Sequence, residues 1–366
     1  MTQLITIIGG GVAGIGVGIL LTKLGVEEFL IIEKEEIGAS FLNWAKETRF
    51  ITPSFTGHGF GLLDLNAVFP NSSPGYTMGT EHLTGRMYGQ YLKGIAAYFK
   101  LPVLEKTEVT NIRKEGNEYI VQTNQNAYKV NTVIVACGEY SFPKRPFQHG
   151  IHYADVESWS DFEGDRMIVG GGESAADAAF HLSTNGWKVD VYHPGKDWLA
   201  FDADPSRSLS PFTRDRLKGE DSQCIHEHPH SSVVSIEYSK KLSAYTVTLK
   251  DGSIIETKQE PLLCTGFHSG ASQFHSLFEW TEDGLPIVNE YDESTLVPSV
   301  YLTGPSLRQR ETIFCFIYKF RQRFAVFVEH LLRQHGISYD KQALEEYKQS
   351  NMYLDDLTCC EAGCEC

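Results

Sequence analysis

The fold of this chain is decided by residues 4–14, which read LITIIGGGVAG. The short apolar run, rich in β-branched side chains, predicts a buried parallel strand, and the glycines after it match G-x-G-x-x-G. A helix and then a second buried strand, at residues 29–32, are expected to follow. In such a unit Gly9 permits the tight turn, Gly11 lets the backbone approach a pyrophosphate, and Gly14 lets helix and strand pack closely.

An acidic residue ends the second predicted strand. Glu33 lies nineteen residues after Gly14, where a carboxylate accepts hydrogen bonds from ribose hydroxyls. The free amides at the start of the helix hold phosphate oxygens. This order of elements predicts a dinucleotide site suited to FAD or NAD. We expect its contacts to come from Gly9, Gly11, Val12, Ala13, Gly14, Glu33 and Lys34.

The same pattern restarts at residue 166. Residues 170–175 read GGGESA and match G-x-G-x-x-A between a predicted strand and a predicted helix. Gly25 lies eleven positions after Gly14, and Gly186 lies eleven positions after Ala175, so the two units align. Two such folds in one chain predict electron transfer between two dinucleotides. We expect the second site to use Gly170, Gly172, Glu173, Ser174, Ala175 and His193.

The second unit lacks the acidic residue of the first. The position of Glu33 is taken by His193, or by Pro194 after a one-residue shift. A carboxylate would repel a 2′-phosphate, whereas His193 tolerates one, with Lys196 or Arg207 as partners. We therefore predict NADPH in this site, with NADH as the alternative.

Composition narrows the class of protein. The chain has 366 residues and a formal net charge of −15, which argues against a nucleic-acid partner. The start of the sequence shows no basic, cleavable leader, and the apolar stretch at residues 12–21 is too short to span a membrane. Four cysteines are scattered singly and four crowd the last eight residues, which favours a reduced, cytoplasmic protein over a disulfide framework.

A long helix is predicted from residue 317. Phe320, Phe324, Phe327 and Leu331 recur in steps of three and four and mark its apolar face. We expect the opposite, polar face to carry Lys319, Arg321 and Arg323. Other predicted elements are a helix at 87–99, antiparallel groups at 108–130 and 233–257, buried strands at 132–136, 261–264 and 300–303, and a helix at 340–350.

Several loops carry a resemblance to a known family. Two predicted strands end in VACG (135–138) and LCTGF (263–267), and the loops GASFLNW (38–44), TRFITPSF (48–55) and YSFPKRP (140–146) accompany them. With these segments the chain resembles flavin-containing monooxygenase-like NAD(P)/FAD-dependent oxidoreductases, in particular the small bacterial group related to the cation-efflux-associated oxidoreductases. The fingerprint F-x-G-x-x-x-H-x-x-x-W of the monooxygenases is absent as written.

The resemblance implies an α/β architecture with two Rossmann-like dinucleotide-binding domains, the nicotinamide domain being inserted into the FAD domain. We expect the FAD domain at 1–146 and 290–335, the NAD(P) domain at 147–289, and a C-terminal helix and cysteine-rich tail at 336–366. It further implies cofactor contacts at Ser40, Phe41, Trp44, Arg49, Thr52, Val109, Ala136, Cys137, Gly138, Thr265, Gly266, Gly304 and Pro305.

The cysteines and histidines give weaker signals. No C-x-x-C lies near either glycine turn, which disfavours a dithiol relay, and Cys137, Cys264 and Cys315 are interpreted as packing residues. In the alternating run Cys224, His226, His228 and His230, Pro229 argues against a regular strand, so we favour an exposed connection over a metal site. The tail residues Cys359, Cys360, Cys364 and Cys366 are candidate ligands for a thiophilic metal.

These features leave three functions open. The first is a monooxygenase-like enzyme that passes hydride from NADPH to FAD and then electrons to oxygen, which oxygenates a small nitrogen- or sulfur-containing substrate. The second is an NADPH-dependent reductase of a small disulfide or a thiol-bound metal, served by the cysteine-rich tail. The third is a metal-binding or sensing protein whose flavin core is structural. The catalytic side chains, the substrate and the oligomeric state are not indicated by the sequence.

Overall fold

The computed structural model describes residues 5–55, 63–200, 202, 204–219 and 222–358. They form two compact units. The first unit is drawn from Met1–Leu42, Pro53–Ser141 and His268–Cys366, and the second from Asn43–Thr52 and Phe142–Phe267. None of the helices in the described part of the chain combines the length and the apolar character that a membrane span needs.

The elements below carry the labels used from here on. The strands are β1 (Ile5–Ile8), β2 (Phe29–Ile32), β3 (Val103–Leu104), β4 (Val109–Glu115), β5 (Glu118–Thr123), β6 (Ala127–Val130), β7 (Thr132–Val135), β8 (Ile151–His152), β9 (Arg166–Val169), β10 (Val189–Tyr192), β11 (Ile225–His228), β12 (Val233–Ser239), β13 (Ala244–Leu249), β14 (Ile254–Thr257), β15 (Leu262–Leu263), β16 (Glu279–Trp280), β17 (Pro286–Ile287), β18 (Val300–Leu302), β19 (Arg308–Gln309) and β20 (Thr312–Ile313). The α-helices are α1 (Val12–Lys23), α2 (Ala39–Leu42), α3 (Pro74–Met78), α4 (Gly85–Tyr98), α5 (Glu173–Thr184), α6 (Pro211–Leu217), α7 (Ile317–Gln334) and α8 (Lys341–Gln349). Short 3₁₀ segments lie at Tyr153–Asp155, Trp159–Asp161 and Gly270–Leu277.

The first unit is built on a parallel sheet. Its strand order is β18-β7-β1-β2-β3, so β1 lies at the centre and its chain passes directly into α1. Glycines in α1 allow α7 to approach closely, because a Cβ atom at Gly16 would lie 2.4 Å from the ring of Phe324. The antiparallel sheet β4-β5-β6 precedes β7 in the chain.

The second unit repeats this plan. Its parallel sheet has the order β11-β10-β9-β15-β8, and the antiparallel sheet β12-β13-β14 lies between β11 and β15 in sequence. Helix α5 packs against the parallel sheet through small residues, since Ala175, Ala176, Ala178 and Ala179 are all fully buried. The predicted α/β class, with one parallel-sheet unit interrupting the other in the chain, is confirmed.

The units differ from the predicted segments at three places. Residues 43–52 and 142–146 lie in the second unit, although they were expected with the N-terminal segment, and residues 268–289 lie in the first unit. A buried polar cluster accounts for the first difference. Thr48 donates to the carboxylate of Asp177 on α5 at 2.9 Å, and the indole of Trp159 donates to the Thr48 hydroxyl at 3.3 Å.

The polar face predicted for α7 is wrong at two positions. Phe320, Phe324, Phe327 and Leu331 are buried as predicted, but Arg321 and Arg323 are buried as well. Arg323 is fully enclosed and binds Asp292 through two hydrogen bonds, each of 3.0 Å. Arg321 donates to the backbone carbonyl of Ala67 at 2.6 Å. Other segments of the first unit cover both side chains, so that Arg323 pairs with a carboxylate and Arg321 binds backbone carbonyl groups inside the fold.

Candidate dinucleotide-binding sites

The first glycine turn lies between β1 and α1 and leaves no space for side chains at two of its glycines. Gly9 has φ +111°, and a Cβ atom there would lie 2.5 Å from the carbonyl oxygen of Ala136. A Cβ atom at Gly14 would lie 1.9 Å from the carbonyl oxygen of Gly9. At Gly11, in contrast, a Cβ atom would meet no atom of the described residues within 4 Å. The turn is therefore closed towards the protein and open at the position where a pyrophosphate would approach.

Glu33 follows β2 and lies against the middle of this turn. Its Oε2 accepts a hydrogen bond from the amide of Gly10 at 2.5 Å, and its Oε1 accepts one from the amide of Glu35 at 2.8 Å. Burial raises the pKa of Glu33, although both amides act in the opposite direction. The carboxylate lies beside the backbone that would hold the phosphates, as a ribose-binding acid must. Lys34 is exposed and pairs with Glu108 at 3.4 Å.

Two neighbouring strands of the same sheet end at this turn. Ala136 follows β7 and contacts the turn through its carbonyl group, and Gly304, with φ +105°, would place a Cβ atom 3.7 Å from that of Ala13. The Cys137 thiol donates to the carbonyl oxygen of Ile8 at 3.5 Å, and burial raises its pKa to about 12. The other predicted contacts of the first unit lie at the start of β4 (Val109), in α2 (Ser40, Phe41) and in the loops after β7 and β18 (Gly138, Pro305).

The second turn, between β9 and α5, has the same construction. Gly170 has φ +131°, and a Cβ atom there would lie 2.1 Å from the carbonyl oxygen of Cys264 after β15. A Cβ atom at Gly172 would meet no described atom within 4 Å. Ala175 is fully buried at the place of Gly14, and Ser174 precedes it in the first turn of the helix. Each unit thus has one glycine that faces open space at the N-terminus of a helix, which is the geometry that a pyrophosphate requires.

Glu173 makes contacts within the protein. Its Oε2 accepts a hydrogen bond from the Thr213 hydroxyl at 2.6 Å, and its Oε1 accepts one from the amide of Ser210. These bonds join the start of α5 to the start of α6. Its predicted contact with the cofactor stays a prediction.

His193 occupies the position that Glu33 has in the first unit. Its side chain is 2% exposed, and its ring lies so close to the second turn that a Cβ atom at Gly171 would be 2.4 Å from its Cγ atom. Its Nε2 atom donates to Oε1 of Glu227 on β11 at 2.9 Å. The sequence has no carboxylate at this position. The structure supplies one from the neighbouring strand.

Glu227 was missed because β11 was missed. Pro229 argued against a regular strand in this region, yet residues Ile225–His228 pair in parallel with β10 and the strand ends just before the proline. His228 stacks on Tyr192 with ring centroids 4.3 Å apart. No group of three or more metal-binding side chains occurs in the part of the chain that the structure describes. The tail residues Cys359, Cys360, Cys364 and Cys366 lie outside that part.

Three residues predicted to contact FAD lie in the second unit. Trp44, Arg49 and Thr52 belong to the segment that packs with that unit, and the rings of Trp44 and Phe50 are 5.0 Å apart. Thr265 follows β15 and donates to the carbonyl oxygen of Lys144 at 2.5 Å. Gly266 comes next with φ +80°. The cofactor contacts of these residues stay predictions.

Known proteins are similar to the part of the chain that contains the two glycine turns. The model of the family "Pyridine nucleotide-disulphide oxidoreductase" matches residues 6–304. An uncharacterized oxidoreductase, CzcO of Bacillus velezensis, is 27% identical over 190 residues, which cover 48% of this chain and about half (51%) of that protein. This likeness agrees with the group suggested by the loops.

Two solved structures share the fold. The bacillithiol disulfide reductase Bdr of Staphylococcus aureus has a TM-score of 0.71 at 19% identity, covering 91% of this chain and 99% of that one. A flavin-containing monooxygenase from Stenotrophomonas maltophilia has a TM-score of 0.69 at 19% identity, with the same coverage of both chains. The family match includes both glycine turns and implies the use of a flavin and a nicotinamide nucleotide. The chain belongs to the pyridine nucleotide-disulphide oxidoreductase family.

Proposed function

We propose that the first unit binds FAD, that the second unit binds a reduced nicotinamide nucleotide, and that the enzyme transfers hydride from the second to the first. The observation that carries this proposal is the repeated turn, closed at Gly9 and Gly170 and open at Gly11 and Gly172. The redox chemistry itself is supplied by the flavin when it is bound.

The chain's own residues bind and orient the two nucleotides. In the first unit the amides at the start of α1 hold the pyrophosphate, and Glu33 accepts hydrogen bonds from the ribose. In the second unit the amides at the start of α5 take the same role, and the buried ring of His193 lies where the adenosine ribose would be bound. The sequence predicts NADPH because it has no carboxylate at this position. Glu227 lies beside His193, so this reason for predicting NADPH no longer applies.

We further propose that the electrons reduce molecular oxygen, one atom of which is transferred to a small nitrogen- or sulfur-containing substrate while the other leaves as water. The fold shared with the Stenotrophomonas monooxygenase supports this reading. The thiols beside the turns support it as well, because Cys264 is buried, Cys137 is partly buried, and burial raises the pKa of each well above that of a free thiol. Neither is poised as the thiolate that a dithiol relay needs. The free cysteines of the described residues fit a cytoplasmic enzyme.

The second candidate is a reductase of a small disulfide or a thiol-bound metal. It is favoured by the fold shared with the bacillithiol disulfide reductase and by the four cysteines of the tail. In this reading the tail would deliver the substrate, and the buried thiols near the turns would take no part.

One set of assays separates the two candidates. Oxidation of NADH and NADPH by the FAD-loaded protein is followed with an oxygen electrode and a peroxide assay, with amines, sulfides and disulfides as substrates. Oxygenated product in proportion to nicotinamide consumed supports the monooxygenase. Oxidation that depends on a disulfide and is lost when Cys359, Cys360, Cys364 and Cys366 are replaced by serine supports the reductase. A protein that oxidises neither nucleotide under any of these conditions would refute both.

A further inference from the structure

The two units hold different residues at the same point of the fold. In the first unit a Cβ atom at Gly10 would lie 3.2 Å from Oε2 of Glu33, so the acid touches the second glycine of the turn. In the second unit a Cβ atom at Gly171 would lie 2.6 Å from Nδ1 of His193. The imidazole therefore fills the volume in which the first unit has its ribose-binding acid.

His193 is fixed in this position by a small buried network. Oε1 of Glu227 accepts from the imidazole Nε2 at 2.9 Å and from the backbone amide of Trp198 at 2.8 Å. The indole of Trp198 in turn donates to the carbonyl oxygen of Gly171 at 2.9 Å. The network thus returns to the glycine turn, so the carboxylate of Glu227 is held at a defined place beside the nucleotide loop.

Glu227 keeps one oxygen available for a ligand. Its side chain is 18% exposed, and among the described residues its Oε2 atom has no hydrogen-bond partner. Pro194 and Gly195, which follow His193, have no charged side chain that could balance the charge of the Glu227 carboxylate. Lys196 is exposed, and His193 is the one basic group of the described residues within 4.0 Å of the carboxylate.

A carboxylate in this position would disfavour a nucleotide that carries a 2′-phosphate. A carboxylate near the adenosine ribose accepts a hydrogen bond from a free 2′-hydroxyl but repels a phosphate at the same atom. In a partly buried site such repulsion is weakly screened. We propose that Glu227, held against His193, selects a nucleotide with a free 2′-hydroxyl, so that the enzyme takes NADH in preference to NADPH. The inference rests on the proposed binding of a nicotinamide nucleotide in the second unit.

The test uses binding and does not require turnover. Dissociation constants for 5′-ADP and 2′,5′-ADP, the adenine halves of the two nucleotides, are measured by calorimetry on the full-length, FAD-loaded protein. Competition by NADH assigns the binding to the nicotinamide site. We expect the wild-type protein to bind 5′-ADP at least about tenfold more tightly, since like charges a few ångströms apart interact at that level.

The variant Glu227→Gln removes the charge and keeps an oxygen that accepts from His193 and Trp198. We expect it to shift the ratio of the two constants towards 2′,5′-ADP by about tenfold. Glu237→Gln is the matched control, because it removes one exposed carboxylate from β12 of the same unit, outside the network, and should leave the ratio unchanged.

The outcomes are distinct. A wild-type protein that binds 2′,5′-ADP as tightly as 5′-ADP overturns the inference, and this comparison stands even if Glu227→Gln does not fold. A ratio that is the same in Glu227→Gln and in the wild type overturns it as well. If neither probe competes with NADH, the nicotinamide site of the proposed function is refuted, and the inference falls with it.

Discussion

Replacing Gly11 by alanine is expected to weaken FAD binding at the first turn while leaving the stability of the fold nearly unchanged. Gly11 has φ −81°, which alanine adopts without strain, and the added methyl group would meet no described atom within 4 Å. We therefore expect the free energy of unfolding of the cofactor-free protein to change by less than about 1 kcal/mol. The methyl group would instead project into the space through which the backbone approaches the pyrophosphate.

The expected loss of FAD affinity follows from the hydrogen bonds displaced. If the methyl group pushes the pyrophosphate away from two backbone amides, each bond to a charged group being worth about 1.5–3 kcal/mol, the loss is at least about 3 kcal/mol. That corresponds to about a hundredfold weaker binding. The measurement is a titration of the apoprotein with FAD, followed by flavin fluorescence, with thermal unfolding of the apoprotein recorded in parallel.

Gly172→Ala is the matched control in the second unit. Gly172 has φ −93° and the same open space, so this variant should fold, keep FAD and lose affinity for NADH. The reasoning would be refuted if Gly11→Ala bound FAD like the wild type. An exchanged result, in which Gly172→Ala loses FAD and Gly11→Ala loses NADH, would reverse the assignment of the two cofactors.

Three further predictions concern single side chains. Glu33→Ala should weaken FAD binding by about tenfold through the loss of the ribose hydrogen bonds, without a matching change for NADH, as two separate titrations would show. Arg323→Met leaves Asp292 buried without its partner and should lower the free energy of unfolding by about 3–5 kcal/mol in urea titrations; a change below about 1 kcal/mol would contradict the buried pair. Alkylation of the native protein at neutral pH should label Cys224, which is exposed, much faster than Cys137, which is less exposed and whose pKa is raised to about 12; equal rates by mass spectrometry would contradict this.

Much of the fold could be predicted because its signals are local. The β-turn-α-β pattern appears twice with equal spacing, and the glycines of each turn have roles that depend only on their immediate neighbours. The strand at Phe29–Ile32 was predicted at its observed bounds for the same reason, since a short, purely apolar run between turn residues is typical of a buried parallel strand.

The features that were missed depend on distant partners. Arg321 and Arg323 look like one polar face of α7, and only the fold shows that Asp292 and the carbonyl group of Ala67 meet them inside. Strand β11 was not predicted because Pro229 disfavours a strand, although β11 ends one residue before the proline. The segment around Thr48 was assigned by its position in the chain, whereas its contact with Asp177 draws it into the other unit.

Both candidate functions require that two dinucleotides bind to this chain and exchange hydride. To measure this exchange, NADH is added without oxygen to the purified protein loaded with FAD, and the visible absorbance of the flavin is recorded. We expect the yellow colour to bleach as nucleotide is added and to return when air is admitted. A protein that takes up no FAD, or whose flavin stays oxidised with both NADH and NADPH, would contradict it.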